Sequence, residues 1–198
     1  MHIPIFPLNG AVLFPKTNLP LNIFEDRYIA MVDYALSKDR LIGMIQSKNT
    51  GELFNIGCLG KIIGFNETND GRYLINLEGI SCFVLKKELT KKYNFRIVDA
   101  MILENNFKKN YKLKGELKNK ILDSYNRYIK EKNININLTE IINIKTEQLA
   151  KFIAMISPFD IIDKQMLLEI TEIEVFCEKL LSVLEIEIAN LNKEKIFN

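Results

Sequence analysis

Short runs of apolar or alternating residues, separated by glycine, proline and asparagine, dominate the first hundred residues of the chain. Each run has the length of a β-strand and is bounded by residues that favour turns. Asn69-Asp70-Gly71 separates two of the runs, and an Asp-Gly pair tolerates the positive φ angles of a tight hairpin. The pattern therefore predicts strands at residues 3–6, 19–23, 41–46, 58–65, 72–78, 81–85 and 95–103.

The hydrophobic spacing changes to the three- and four-residue period of amphipathic helices elsewhere. One predicted helix, at residues 25–37, interrupts the strands and is expected to cover one side of the sheet. Four of the five prolines lie within the first 20 residues and eight of the nine glycines lie before residue 80, so the turn-rich part ends near residue 104. The remaining chain predicts helices at residues 113–129, 146–156, 160–168 and 173–191.

These two patterns predict an α+β protein with two domains. Residues 1–104 form the β-rich domain and residues 105–198 form an all-helical bundle. Because Gly and Pro punctuate turns and are excluded from helix interiors, the loss of both residue types marks the boundary between the domains.

Residues with recognisable catalytic chemistry are scarce. The three cysteines, Cys58, Cys82 and Cys177, lie far apart, which argues against a disulfide framework or a zinc site. The single histidine, His2, cannot supply a multi-histidine metal site, and no phosphate-binding loop or G-x-S-x-G elbow occurs. We predict no metal, no cofactor and no enzymatic activity. A Ser–Lys dyad needs only two residues placed by the fold and stays an open alternative.

The net charge of +2 is small, but it is unevenly distributed. Residues 106–133 contain nine Lys/Arg and three Asp/Glu, whereas residues 134–198 contain six and eleven. We interpret this as a basic helix that is attracted to acidic helices, with a phosphate-binding patch as the alternative. The N-terminus has no signal-peptide pattern and no run of about 18 apolar residues occurs, so we predict a cytoplasmic protein without a membrane partner.

Several segments of the first domain resemble the N-terminal, substrate-binding domain of Lon proteases. They are IPIFPL at residues 3–8, VLFP at 12–15, LPLNIFEDRY at 19–28, GCLGKI at 57–62, DGRY at 70–73 and LEGI at 77–80. The resemblance is strong over residues 1–104 and looser over the helical part, where AMISPF at 154–159 and Lys164–Leu168 carry it.

This resemblance implies a PUA-like pseudo-barrel followed by a helical bundle. It also implies a non-catalytic module that recognises unfolded or tagged polypeptide, here as a stand-alone member without the ATPase and peptidase modules. The expected partners are unfolded polypeptide and a separate protease. The alternative function is a PUA-like nucleic-acid-binding module, which we consider the weaker prediction because no RNA-binding signature is present.

Phe6, Phe14 and Phe24 lie in or beside Pro-rich loops, where a ring can fold inward to seal the barrel end or stay open as a recognition patch, and we favour sealing for most of them. Candidate binding residues come from these aromatics and from the predicted hairpin. An extended client could add to an open sheet edge or lie across an apolar patch. One departure from the family pattern is Cys82, in Gly79-Ile80-Ser81-Cys82-Phe83, where many relatives carry arginine. The candidate polypeptide-binding residues are Phe14, Phe24, Tyr28, Arg72 and Tyr73.

Overall fold

The computed structural model describes residues 1–89, 92–104, 115–135 and 143–197. Six strands and five helices lie in these ranges, in agreement with the predicted α+β class. The strands are β1 (His2–Leu8), β2 (Asn18–Ile23), β3 (Leu41–Gln46), β4 (Ile56–Glu67), β5 (Tyr73–Glu88) and β6 (Arg96–Ile102). The helices are α1 (Asp26–Leu36), α2 (Gly115–Glu131), α3 (Thr146–Ile156), α4 (Ile161–Glu169) and α5 (Ile173–Phe197).

The six strands form one mixed sheet in the order β2-β5-β4-β3-β1-β6. Strand β6 also pairs with β5, so β5, β4, β3, β1 and β6 close into a ring. The β1–β3 pair is parallel and the other pairs are antiparallel. Strand β2 lies outside the ring because, among the described strands, it pairs with β5 alone.

Strand β5 is one continuous strand of 16 residues, and the prediction of two shorter strands at 72–78 and 81–85 was wrong. Gly79 stays in the extended backbone, opposite Gly60 of β4. Register shifts at Leu59/Gly60 and at Leu85/Lys87 let the strand bend without interrupting it. The first half of β5 therefore pairs with β2 and its second half with β6.

The ring encloses a core centred on the fully buried Phe83. A side chain at Gly57 would place its Cβ 2.6 Å from the Phe83 ring and 2.5 Å from the Met44 carbonyl oxygen, so only glycine fits at this position. The residues packed around Phe83 are Ile3, Ile5, Ile45, Leu59, Val98 and Ala100.

The chain separates into two compact units. The first unit is Met1–Asn105 together with Asp160–Leu168, and the second is Asn106–Phe159 together with Glu169–Asn198. Most of α4 therefore belongs to the first unit although it lies late in the sequence, whereas the predicted division assigns it to residues 105–198.

Polar side chains of α4 explain this placement. The Gln165 side chain donates to the Ile56 carbonyl at 3.0 Å and accepts from the Gln46 amide at 3.0 Å. The Lys164 ammonium donates to the Gly10 carbonyl at 2.9 Å. Since Lys164 and Gln165 are both buried, these bonds satisfy polar groups that would otherwise be costly to bury.

Helices α2, α3 and α5 are the described elements of the second unit. The buried side chains of this unit include Tyr125 and Tyr128 of α2, whose rings lie 6.2 Å apart, and Phe159 after α3, 5.6 Å from Tyr128. The ring of Tyr128 lies deep enough that burial raises the pKa of its hydroxyl.

Candidate functional site

The clearest exposed aromatic residue of the first unit is Phe24, which follows directly on β2. Its side chain is 66% exposed. The register of the sheet places Ile23 opposite Tyr73 and Asn22 opposite Leu74, so Phe24 lies at the end of β2 that is next to the start of β5. Of the five predicted residues, the structure thus brings Phe24, Arg72 and Tyr73 to one end of the sheet.

Phe14 is in the core instead of at the surface. Its side chain is 2% exposed, and its backbone oxygen accepts a hydrogen bond from the Thr17 hydroxyl at 2.8 Å. The segment around Phe14 lies directly on β5, because a Cβ at Gly79 would approach the Phe14 carbonyl oxygen to 2.1 Å. The family segments VLFP and LEGI are therefore joined by a close backbone contact, and we leave Phe14 out of the binding surface.

Tyr28 of α1 is also largely buried, at 7% exposure. Its ring packs on Phe6 with 4.3 Å between the ring centroids, and the Arg27 guanidinium lies 4.5 Å from the ring centroid. Burial raises the pKa of the Tyr28 hydroxyl above its ordinary value. These contacts give Tyr28 a packing role under α1.

The β4–β5 hairpin holds Arg72 and Tyr73 in defined positions. Gly71 adopts a φ of 79°, which is the positive value that the Asp-Gly pair predicts. The Arg72 guanidinium binds the Asp70 carboxylate, and Arg72 and Thr68 together hold the pKa of Asp70 well below its usual range. Because Arg72 is engaged within the turn, its main role in this structure is to stabilise the hairpin.

Tyr73 links the hairpin to its surroundings. Its ring meets Phe65 edge-on with 4.9 Å between the centroids, as expected for neighbouring antiparallel strands. Two effects raise the pKa of the Tyr73 hydroxyl: partial burial is the larger, and a hydrogen bond to Asp33 of α1 is the smaller.

Sequence reasoning missed three exposed apolar residues on the same hairpin: Ile63, Phe65 and Leu74. Leu74 is 43% exposed, and its side chain lies on the same outward face of β5 as that of Glu78. Strict alternation along residues 73–78 could have identified it, since Ile75 and Leu77 take the inward positions. We call the exposed and half-buried residues at this end of the sheet, Phe24, Ile63, Phe65, Tyr73 and Leu74, the hairpin surface. Phe65 and Tyr73 lie together on the face opposite to that of Leu74.

A second feature of the first unit is a cleft of about 530 Å³. The rings of Tyr93 and Phe95 stack there with centroids 5.0 Å apart, and Arg27 and Arg96 also line it. Both guanidinium groups are already bound to carboxylates, Arg27 to Glu25 and Arg96 to Glu88. Tyr93 is 38% exposed and Phe95 is buried beneath it, so one ring is open to stacking, and the positive charge of both arginines is compensated.

The basic helix α2 binds acidic side chains of α5. Arg127 pairs with Glu185, and the Lys132 ammonium lies 3.7 Å from a Glu187 carboxylate oxygen. These contacts agree with the predicted attraction between the basic and the acidic helices.

The departure from the family pattern, Cys82, lies against the end of α4. Its Sγ is 3.7 Å from the carbonyl oxygen of Leu168, in the last turn of that helix. A cation near a helix C-terminus interacts favourably with the unpaired carbonyls there. An arginine here would place a cation beside these carbonyls, and position 82 is not among the residues of the hairpin surface.

The described residues offer little nucleophilic or metal-binding chemistry. Cys58, Cys82 and Cys177 form no disulfide in the described part of the chain, and burial raises the pKa of Cys177 to about 12, so this thiol stays protonated at neutral pH. Among the described residues, no group of three or more His, Cys, Asp or Glu side chains is arranged to hold a metal ion. Within the same residues, none of the helices combines the length and apolar character that a membrane crossing requires.

The sequence model for the substrate-binding domain of the ATP-dependent protease La (LON) matches residues 2–185. The chain belongs to the Lon substrate-binding domain family. This match confirms the family resemblance that segments such as IPIFPL and LPLNIFEDRY carry.

Curated relatives of this Lon domain are full-length enzymes. The chain is 29% identical over 204 residues to the Lon protease of Buchnera aphidicola subsp. Acyrthosiphon pisum, which covers 98% of the chain and 26% of that protease. It is 27% identical over 214 residues to the Lon protease of Dictyoglomus thermophilum, covering 99% of the chain and 26% of the relative. The chain thus spans about a quarter of the length of these relatives.

Solved structures support the fold. A Lon N-terminal domain protein from Xanthomonas campestris superposes with a TM-score of 0.68 at 18% identity, over 92% of this chain and 98% of that one. The N-terminal domain of the Mycobacterium avium complex Lon protease gives a TM-score of 0.63 at 13% identity, over 93% and 98% of the two chains. The protein therefore has the Lon N-terminal domain fold, with a mixed six-stranded sheet and helices.

Proposed function

We propose that this Lon-type domain recognises unfolded or tagged polypeptides and does not itself cleave them. The observation that carries the proposal is the match to the Lon substrate-binding domain over residues 2–185. The hairpin surface adds a physical reason, because Phe24 exposes most of its ring at the end of β2 and Leu74 lies on the neighbouring strand. Exposed apolar side chains of this kind are typical of surfaces that bind other chains.

The proposal includes a protease partner in the cytoplasm. It is supported by the relatives, which are Lon proteases and of which this chain matches about a quarter of the length. In this arrangement the domain supplies recognition, and a protease supplies ATP hydrolysis and peptide-bond cleavage.

Fluorescence anisotropy with labelled, carboxymethylated casein tests the proposal. We expect saturable binding to the unfolded casein and none to a folded protein of similar size. The Phe24→Ser variant should weaken binding about tenfold, since an apolar anchor contributes about 1–2 kcal/mol. Ile162→Ser is the matched control, because Ile162 is 61% exposed in the same unit but lies on α4.

Two results would contradict the proposal: binding to casein no stronger than that of an unrelated protein of equal charge, or release of casein peptides by the purified chain without ATP and a protease.

The second candidate function is nucleic-acid binding through the cleft that contains Tyr93 and Phe95. The exposed ring of Tyr93 is the observation that favours it, because bases stack on exposed aromatic rings. Its affinity for a single-stranded oligonucleotide should fall steeply with salt, because phosphate contacts release counterions. The carboxylate partners of Arg27 and Arg96 reduce that attraction, so we expect polypeptide to be the stronger ligand.

A further inference from the structure

The outer edge of β2 presents backbone groups that no described strand uses. The Gly79 N–H donates to the Thr17 carbonyl at 2.9 Å, which fixes the direction of the backbone groups along the antiparallel pair. In such a pair, alternate residues direct both backbone groups toward the partner strand. The backbone N–H and C=O groups of Leu19, Leu21 and Ile23 therefore point toward β5. Those of Asn18, Pro20 and Asn22 point away from it, with the exception that proline has no N–H.

The position of Pro20 agrees with this assignment. Proline has no N–H, and in sheets it is confined to positions where that group would point away from the ladder. The outer edge thus offers two N–H donors, from Asn18 and Asn22, and three carbonyl acceptors, from Asn18, Pro20 and Asn22.

The composition of β2 leaves this edge unprotected by charge. The sequence Asn18–Ile23 reads NLPLNI and contains no charged residue, whereas natural edge strands commonly carry lysine or another charge that blocks further pairing. The side chains of Asn18, Pro20 and Asn22 are exposed, and those of Leu19 and Leu21 are half-buried on the other face. The strongly exposed Phe24 follows at the end of the strand.

We propose that an extended client segment binds as an additional β-strand along the outer edge of β2. This inference rests on the proposed function and specifies what the domain reads: backbone groups of an unfolded segment, with alternate apolar side chains that extend the face formed by Leu19 and Leu21. Main-chain hydrogen bonds supply sequence-tolerant affinity in this mode, and alternate side chains supply preference.

A second copy of the chain fits this edge less well than a client does. Antiparallel pairing of two β2 strands centred on Pro20 places proline opposite proline, where neither residue can donate a hydrogen bond. A client residue opposite Pro20 keeps its N–H and donates it to the Pro20 carbonyl. Proline at the centre of the edge therefore favours an extended client over self-association.

The test uses three synthetic peptides of ten residues with alternating valine and threonine. One is unmodified, and the other two carry N-methyl groups on alternate residues, on the valines or on the threonines. In an added strand, only one set of alternate amides points toward β2. We expect one methylated peptide to lose binding at least tenfold, because each lost hydrogen bond costs about two- to tenfold in affinity, and the other to bind like the unmodified peptide.

Amide hydrogen exchange supplies the second readout. On peptide binding, exchange at Asn18 and Asn22 should slow at least about tenfold, as newly bonded amides become protected. Exchange at Leu19 and Leu21, whose amides already bind β5, should stay unchanged.

The outcomes separate the two proposals. If casein and the unmodified peptide bind but both methylated peptides bind equally well or equally poorly, strand addition is wrong and polypeptide recognition stands. Protection of Asn18 and Asn22 that rises with protein concentration in the absence of peptide would show a second copy on this edge and would contradict the inference. Failure to bind any unfolded polypeptide would overturn the proposed function itself.

Discussion

Strands β2 and β6 both pair with β5, but they have opposite roles at its two halves. Strand β6 also pairs with β1 and closes the ring, and it carries charged residues such as Arg96, whose guanidinium binds Glu88 across the pair. Strand β2 pairs with β5 alone among the described strands and carries no charge. In this fold the charged strand is enclosed and the uncharged strand has the open edge, where Pro20 and not a charge limits further pairing.

This difference separates stability from recognition. Closure of the ring buries the core around Phe83 and leaves β6 no backbone edge to offer. The open side of β2 contributes less to the core and keeps its outer hydrogen-bonding groups available. Substitutions in the ring should therefore change the free energy of unfolding, and substitutions along β2 should change binding.

The largest expected effect comes from the closed side. Phe83→Ala leaves a cavity against Gly57 and Gly43, and we expect the free energy of unfolding to fall by about 3–5 kcal/mol. Urea denaturation followed by circular dichroism measures it. The control is Phe24→Ala on the open side, which should change stability by less than about 0.5 kcal/mol. Equal losses in the two variants would contradict the separation.

The next effect tests how α4 is attached to the strands. Gln165→Leu removes the hydrogen bonds to the Ile56 carbonyl and the Gln46 amide and leaves both groups buried without this partner. We expect a loss of about 1–3 kcal/mol in the same denaturation experiment. Ile162→Ala on the exposed side of α4 should be nearly neutral, and a comparable loss there would show that the polar bonds are not the cause.

Pro20→Ala tests the outward direction of the backbone groups on the open side of β2. The substitution adds a third outward N–H to β2, so affinity for an extended peptide should rise about two- to tenfold. The free energy of unfolding should fall by about 0.4–1 kcal/mol, because alanine increases the freedom of the unfolded chain. Isothermal titration calorimetry measures the affinity, and sedimentation velocity reports self-association, which the added donor should also increase. A weaker interaction with peptide would contradict the assigned direction of the β2 backbone.

The smallest effect concerns the departure at Cys82. Cys82→Arg should raise the free energy of unfolding by about 0.3–1 kcal/mol, because a cation then lies near the C-terminus of α4. Thermal unfolding measures the change, and casein binding serves as the control because it should not move. A change in casein affinity without a change in stability would assign this position to recognition.

Much of the fold follows from local patterns in the sequence. The three- and four-residue spacing predicts α1 and α3 closely, and Asp70-Gly71 predicts the hairpin that brings Phe65 to Tyr73. The prediction failed where distant contacts decide. Gly79 predicts a break between two strands, but its backbone is extended within β5, and the Phe14 carbonyl lies where a side chain at this position would be.

The candidate site was less predictable than the fold. Aromatics in proline-rich loops can either seal the end of the sheet or stay open. Which of the two occurs depends on what packs over each ring, so Phe14 and Tyr28 are enclosed while Phe24 is open. The open edge of β2 depends on the pairing order of the whole sheet, which the separate strand patterns do not contain. Attachment of α4 to the first unit likewise depends on long-range bonds of Lys164 and Gln165.

A nuclear magnetic resonance titration of the ¹⁵N-labelled chain with an unfolded peptide shows whether an unfolded segment binds along β2. We predict that the amide signals of β2, at Asn18, Leu19, Leu21, Asn22 and Ile23, and that of Phe24 shift with peptide concentration, while those of Arg96–Ile102 stay in place. Shifts confined to β6 or to the second unit, with β2 unchanged, would contradict it.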